Sequence, residues 1–232
     1  MKVRAPKTRV FREKEHLAEF IAEHIPSVKE ETILVVTSKI VALSEGRVAP
    51  LGSKEDKVAL IKKESQKAWR TKYVWLTVKD GLVMPNAGVD ESNADGKIIL
   101  LPKDSFKAAQ QLRLSLKKKY KVKQLGILIT DSRTMLLRAG VTGVALGYAG
   151  FTGVRDYRGT PDIFGRPLHM TRTDVADSLA AAAVLLMGEG KECKPLAVIT
   201  GAPVEFCERT NKKELYIPLE DDMYGPLFKN LK

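Results

Sequence analysis

The chain has 232 residues, 44% of them hydrophobic and 29% charged, with a formal net charge of +11. A chain of this size buries a sizeable core as a single unit or two interlocked subdomains, and its composition excludes disordered and collagen-like classes. No apolar run reaches the roughly 18 to 20 residues that cross a bilayer, and no signal-peptide pattern follows Met1-Lys2-Val3-Arg4, so cytoplasm is the expected compartment and no membrane partner is expected.

In chain order, Leu17, Phe20, Ile21 and Ile25 fall at helical spacing, so the stretch from Glu15 to Ile25 reads as a helix stopped by Pro26 and Ser27. Thr32 to Thr37 is a β-branched run that predicts a buried strand, continued by Ser38 to Val41. Gly46, Pro50 and Gly52 mark a loop. Ser53 then caps an expected helix that runs to about Trp69. Tyr73 to Val78 and Leu82 to Met84 flank Asp80-Gly81, a hairpin signal. After the polar loop 85–96, Lys97 to Leu101 reads as a strand, and Asp104 or Ser105 caps a helix through Lys119. Gln124 to Thr130 is an apolar strand ending at Asp131. Glycines 140, 143, 147, 150 and 153 punctuate the next stretch without forming a repeat. A helix from about Thr173 to Met187 and a strand from Leu196 to Thr200 close the pattern. Strands and helices mix without strict βαβ alternation, which predicts an α+β fold with mixed, largely antiparallel sheets and packed helices.

The two cysteines, Cys193 and Cys207, form no CxxC motif and lie far from any histidine in sequence, so reduced thiols are expected rather than a zinc site. The positive excess suits a polyanionic partner such as nucleotide phosphates, a polyglutamate tail or nucleic acid. The run Lys117, Lys118, Lys119, Lys121, Lys123 reads as a solvated face. No nucleic-acid partner is expected, because the chain carries no recognised reading module and only 6% aromatic residues for stacking.

Three acids stand where chemistry is often placed. Asp90 lies in the loop Asn86-Ala87-Gly88-Val89-Asp90-Glu91-Ser92-Asn93, Asp131-Ser132 follows a buried strand, and Glu189 follows Gly188 beyond an alanine-rich helix. Carboxylates and a hydroxyl from separate loops suit a hard divalent cation, Mg²⁺ or Mn²⁺. An Asx-turn at Asp90 or a helix cap at Asp131 explains each acid singly, and spacing does not overturn those plainer readings. GxxxxGK[ST] and GxGxxG are both absent, which excludes a P-loop and argues against a Rossmann site.

Read together, the segments resemble a known family. Ser38-Lys39-Ile40-Val41 with Ser44-Glu45-Gly46-Arg47, the Asn86–Asn93 string, Ile129-Thr130-Asp131-Ser132, Asp156-Tyr157-Arg158-Gly159, Gly165-Arg166-Pro167-Leu168 and Val184 to Gly188 are similar, in order, to motifs of the coenzyme F420-0:L-glutamate ligase family. The resemblance implies a GTP-dependent (or ATP-dependent) ligase that works as a homodimer and joins L-glutamate to a carboxylate of an acidic small-molecule acceptor. It places metal on Asp90, Asp131, Ser132 and Glu189. It places nucleotide on Ser38, Lys39, Asn93, Met187, Gly188 and Lys191, with Pro6 in a matching N-terminal segment. Catalytic roles fall to Lys39, Arg158 and Arg166, with Arg155 as a further carboxylate or phosphate clamp.

The sequence departs from that pattern at Leu43, where a second lysine is usual, and over Arg133 to Arg138, where only the last arginine persists. The reaction class is therefore expected to be kept while the acceptor differs. A folate- or pterin-type acceptor on the same scaffold is the alternative within the resemblance. A basic nucleic-acid-binding protein, suggested by the charge alone, and a catalytically inactive relative are the alternatives of other classes.

Overall fold

A computed structural model describes residues 1–218 and 220–228. Strand β1 (Lys2–Arg4) is followed by helix α1 (Leu17–His24), which buries Phe20 and Ile21 as the spacing predicts, with Ala18 beside them and Leu17 half-buried. Strand β2 (Thr32–Thr37) then passes without a loop into helix α2 (Ser38–Ser44). Continued strand is thus corrected to helix. Pro195, whose carbonyl accepts from the Thr37 N–H, has no N–H to extend the ladder beyond this point. Burying Ile40 and Val41 on the helix contributes roughly 1.5–3 kcal/mol each, which exceeds the ~1 kcal/mol span of strand propensity.

An inserted region follows. Strand β3 (Val48–Pro50) leads to helix α3 (Lys54–Glu64), whose N-terminus carries a full capping box: Ser53 Oγ accepts from the Asp56 N–H while Asp56 accepts from the Ser53 N–H. The helix ends five residues short of Trp69, because Ser65 turns extended and Lys67–Arg70 forms strand β4. Strands β5 (Trp75–Lys79) and β6 (Leu82–Pro85) make the expected hairpin around Asp80-Gly81, both with positive φ. A 3-10 turn (Asn86–Gly88) carries the chain into the Asp90 loop, and β7 (Lys97–Ile99) pairs back with β3.

Asp104 caps helix α4 (Ser105–Tyr120), which delivers strand β8 (Leu125–Thr134). This strand runs past the expected end at Thr130, because β9 (Val141–Ala149) pairs with its full second half. Glycines 143 and 147 lie inside β9 rather than in a loop. A Cβ at Gly143 would sit 2.4 Å from the Ala180 carbonyl oxygen, and one at Gly147 would sit 2.5 Å from Ser105 backbone, so the absent side chains let two helices close on the strand. Strands β10 (Val154–Asp156) and β11 (Arg172–Asp174) form the base of an arm spanning 157–171. Helix α5 (Val175–Met187), strand β12 (Leu196–Thr200) and a short helix α6 (Gly225–Phe228) complete the described elements.

The main sheet has the order β1-β12-β2-β8-β9, parallel only between β2 and β8. Helices α1, α2 and α4 cover the face presenting Leu34, Val36, Ile127 and Ile129, while α5 covers the face presenting Ile33, Val35 and Leu128. Both faces are dry. That is why Thr32-Ile33-Leu34-Val35-Val36 reads as an unbroken apolar run instead of an alternating one. The fold is α+β with mostly antiparallel sheets, as expected from sequence. No helix among the described residues is long and apolar enough to cross a membrane.

Candidate active site

Strands β2 and β8 run parallel, and their pairing ends at Thr37 and Thr130, where β2 stops and β8 continues with β9 alone. Side chains just beyond the carboxyl ends of adjacent parallel strands face a common crevice. Here that crevice is a cleft of 680 Å³, walled by the N-terminal segment at Thr8–Phe11, by α2, by the Asp90 loop and by the segment from Met187 to Pro195.

Asp90, Asp131, Ser132 and Glu189 all line this cleft, although they come from three distant stretches of chain. Asp90 is fixed by an isolated bridge to Ile99, its N–H donating to the Ile99 carbonyl at 3.0 Å. Its carboxylate accepts from the Ser92 N–H at 2.7 Å and the Ser92 hydroxyl at 3.0 Å, and pairs with Lys39 Nζ at 2.9 Å. Burial alone would raise its pKa, but the Lys39 and Ser92 hydrogen bonds outweigh that and hold it below the ordinary value. Lys39 Nζ also donates to Ser92 Oγ at 2.7 Å and to the Ser92 carbonyl at 3.1 Å, so all its donors are spent on the loop.

Asp131 behaves in the opposite way. Burial pushes its carboxyl up to about 6, and the neighbouring charges of Asp90 and Glu189 add to this, against the opposing Ser132 N–H and Lys39. Ser132 Oγ donates to Glu189 Oε2 at 3.1 Å, which ties β8 to the segment after α5. Asn93 Nδ2 donates to the Gly190 carbonyl at 3.2 Å and joins the insert to that same segment.

The remaining sequence-predicted residues divide cleanly. Met187, Gly188 and Lys191 line the cleft beside Lys39 and Asn93. Ser38 is 2% exposed and lies behind the wall, and Pro6 is also off the lining. Arg158 and Arg166 stand on the arm, away from the cleft lining of this chain. Arg158 pairs with Asp156, and the Arg166 N–H donates to Asp162. Arg155 donates to the Pro203 carbonyl. Thr8 to Phe11, Thr37, Thr130 and Cys193 to Pro195 line the cleft without having been singled out from sequence. Thr8 arrives there because its N–H donates to the Cys193 carbonyl at 2.8 Å, a contact across 185 positions that no local pattern announces.

Comparison with known proteins shows the family. The family model described as F420-0:gamma-glutamyl ligase matches residues 6–201. The chain belongs to the F420-0:gamma-glutamyl ligase family. Among curated relatives, the coenzyme F420:L-glutamate ligase of Methanococcus maripaludis strain C6 is 35% identical over 90% of this chain and 90% of its own. The proteins of that name from Methanopyrus kandleri and Archaeoglobus fulgidus are 34% and 31% identical, covering 87% and 92% of this chain and 86% and 92% of their own. The matched span of the family model contains all the acids of the cleft.

A divalent metal can be tested against these residues. The donor set is wholly oxygen: three carboxylates and one hydroxyl, the preference of Mg²⁺ or Mn²⁺. Asp131 is held near 6 by burial beside two other acids, the state that a cation would relieve. Among the described residues no three acidic, His or Cys side chains are yet drawn close enough to hold an ion, and the Lys39 ammonium sits on Asp90. The residue types fit a hard cation, while in this structure the Asp90 carboxylate is occupied by Lys39.

Proposed function

We propose that this member of the family is a metal- and nucleoside-triphosphate-dependent ligase that forms an amide between the amine of L-glutamate and a carboxylate of an acidic acceptor resembling coenzyme F420-0. The observation that carries the reading is the convergence of Asp90, Asp131 and Glu189, with Lys39 among them, on one cleft where the parallel pairing of β2 with β8 ends. The relatives' names support the glutamate and acceptor classes, and the oxygen-only donor set supports the metal.

A carboxylate oxygen is a poor leaving group, so amide formation in water needs activation. Transfer of the terminal phosphoryl group of GTP or ATP to the acceptor carboxylate gives an acyl phosphate. The glutamate amine then attacks the acyl carbon, the C–O bond to phosphate breaks, and inorganic phosphate leaves with the electron pair while the amine gives up a proton. Catalysis of such a transfer consists of positioning and of neutralising charge. Asp90, Asp131, Ser132 and Glu189 would hold Mg²⁺ or Mn²⁺, which supplies charge neutralisation at the phosphates when bound. Lys39, once released from Asp90, places a point charge at the same spot. Lys191, Asn93, Met187 and Gly188 line the path along which a nucleotide would lie.

We assign Arg158 and Arg166 no role in this chain's own cleft. On the arm, Ile163, Phe164 and Met170 are 92%, 84% and 87% exposed, a surface that supports a homodimer in which the arm is covered.

The test is Asp131→Asn, assayed for glutamate addition to a deazaflavin acceptor and, separately, to tetrahydrofolate, with GTP or ATP and Mg²⁺ or Mn²⁺. The variant is expected to fold with an unchanged circular dichroism spectrum and to lose ligation. Turnover near that of the wild type removes the metal role.

A further inference from the structure

Two buried hydroxyls in the described residues have no hydrogen-bond partner, Thr32 Oγ1 and Thr130 Oγ1. They share a chemistry and differ in place. Thr32 begins β2, is 0% exposed and pairs with Leu125 at the start of β8. Thr130 lies five residues further along β8, about 17 Å away at the usual strand rise. It is 1% exposed, and it lines the cleft.

A buried hydroxyl left unpaired destabilises the fold, and threonine and valine are nearly the same shape. Strand propensity favours valine at least as much. Folding alone therefore gives no reason for a hydroxyl at position 130. Its place gives one. Thr130 is the last residue of β8 paired with β2, opposite Thr37 and directly before Asp131 and Ser132, and the cleft it lines carries Arg9, Lys39, Lys191 and Lys194 beside five carboxylates. A hydroxyl without an acceptor inside the fold, on a residue of a cleft that also holds cationic side chains, is matched by an anionic oxygen of a bound substrate.

We propose that Thr130 is a substrate-binding residue whose hydroxyl donates a hydrogen bond to an anionic oxygen, phosphoryl or carboxylate, of a substrate seated where the pairing of β2 with β8 ends. This rests on the ligase reading and adds to it a contact outside the acidic set. The hydroxyl is stored unpaired in the free protein and is satisfied on binding, so stability and affinity oppose one another at this position.

The experiment compares Thr130→Val, Thr130→Ser and Thr32→Val with the wild type. Melting temperature is measured without substrates, and kcat and KM are measured separately for nucleotide, glutamate and acceptor. Thr130→Val is expected to melt at the same temperature or about 2–4 °C higher, while KM for one substrate rises about tenfold or more, the size of a hydrogen bond to a charged group. The substrate whose KM moves identifies the source of the oxygen. Thr130→Ser keeps the hydroxyl and is expected to recover most of the affinity. Thr32→Val gains the same stability and leaves kcat and every KM unchanged.

All KM values of Thr130→Val within twofold of the wild type would overturn the proposal. So would a fall of several degrees in its melting temperature, since the hydroxyl would then have a partner inside the fold. Absence of ligation by the wild type would instead count against the ligase reading itself.

Discussion

Replacing Glu64 by Gln perturbs the contact that holds the insert in shape. The Glu64 carboxylate accepts from Lys79 Nζ at 2.6 Å and pairs with Arg47 Nη2 at 2.7 Å, and the three side chains are 12%, 10% and 28% exposed. Burial by itself would raise the Glu64 pKa, but the two cations outweigh it and hold the carboxyl below its ordinary value. The contact joins α3, β5 and the start of β3, the elements that carry the Asp90 loop. Removing one partner of a buried pair costs about 3–5 kcal/mol because a charge is left uncompensated. Arg47 is partly in water, and Lys79 keeps its 3.0 Å bond to the Glu64 carbonyl, so about 2–4 kcal/mol is expected here.

At this chain length each kcal/mol moves the melting temperature by about 2–4 °C, which gives a drop of roughly 5–15 °C near neutral pH. The sign with pH follows from the depressed folded pKa. The stabilisation is fully present above the unfolded carboxylate value and is lost as pH falls through the folded one. The gap between wild type and variant is therefore expected to narrow in acid. Thermal melts followed by circular dichroism at pH 7 and pH 3 measure both. A gap under about 2 °C at pH 7, or one that is the same at pH 3, refutes the reasoning. The double variant Glu64→Gln with Lys79→Met is expected to recover part of the loss, since it removes the orphaned charge.

Gly143→Ala places a methyl group 2.4 Å from the Ala180 carbonyl oxygen and 2.7 Å from Val184 Cβ. It is expected to destabilise by about 1–3 kcal/mol, read as a lower urea midpoint with an unchanged slope. Asp174, though an exposed residue, caps α5 through the Asp177 N–H, and partial desolvation of its carboxyl first, then the charge of Asp177, pushes it up to about 6. A raised acid loses stability as pH climbs from the unfolded value through 6, so Asp174→Asn, which keeps the cap, is expected to gain stability above pH 6 and none below pH 4. Melting curves across that range that stay parallel for both proteins would contradict it.

Much of the framework was legible because its signals are local. The Asp80-Gly81 hairpin, the Ser53 and Asp104 caps and the β2 and β12 runs each depend on a few adjacent residues whose backbone preferences point one way. The errors arose where a partner decided. Ser38 to Ser44 has β-branched residues yet forms a helix, because the ladder on one side ends at Pro195 and α1 and α4 offer an apolar surface to Ile40 and Val41. Gly143 and Gly147 carry no strand signal in the sequence and are strand residues, because α5 and α4 lie where side chains would stand.

The site divides in the same way. The sequence by itself singled out Asp90, Asp131 and Glu189, since the strings around them are identifiable without coordinates, and it determined the family. Only the tertiary structure decided that these acids share one cleft, that Lys39 is spent on Asp90 and Ser92, that the arm arginines stand apart, and that Thr130 keeps an unpaired hydroxyl. The physical reason is range. Caps and turns are set by neighbours in the chain, whereas the meeting of residues 39, 90, 131 and 189 follows from the parallel pairing of β2 with β8 and from how the insert folds back over it.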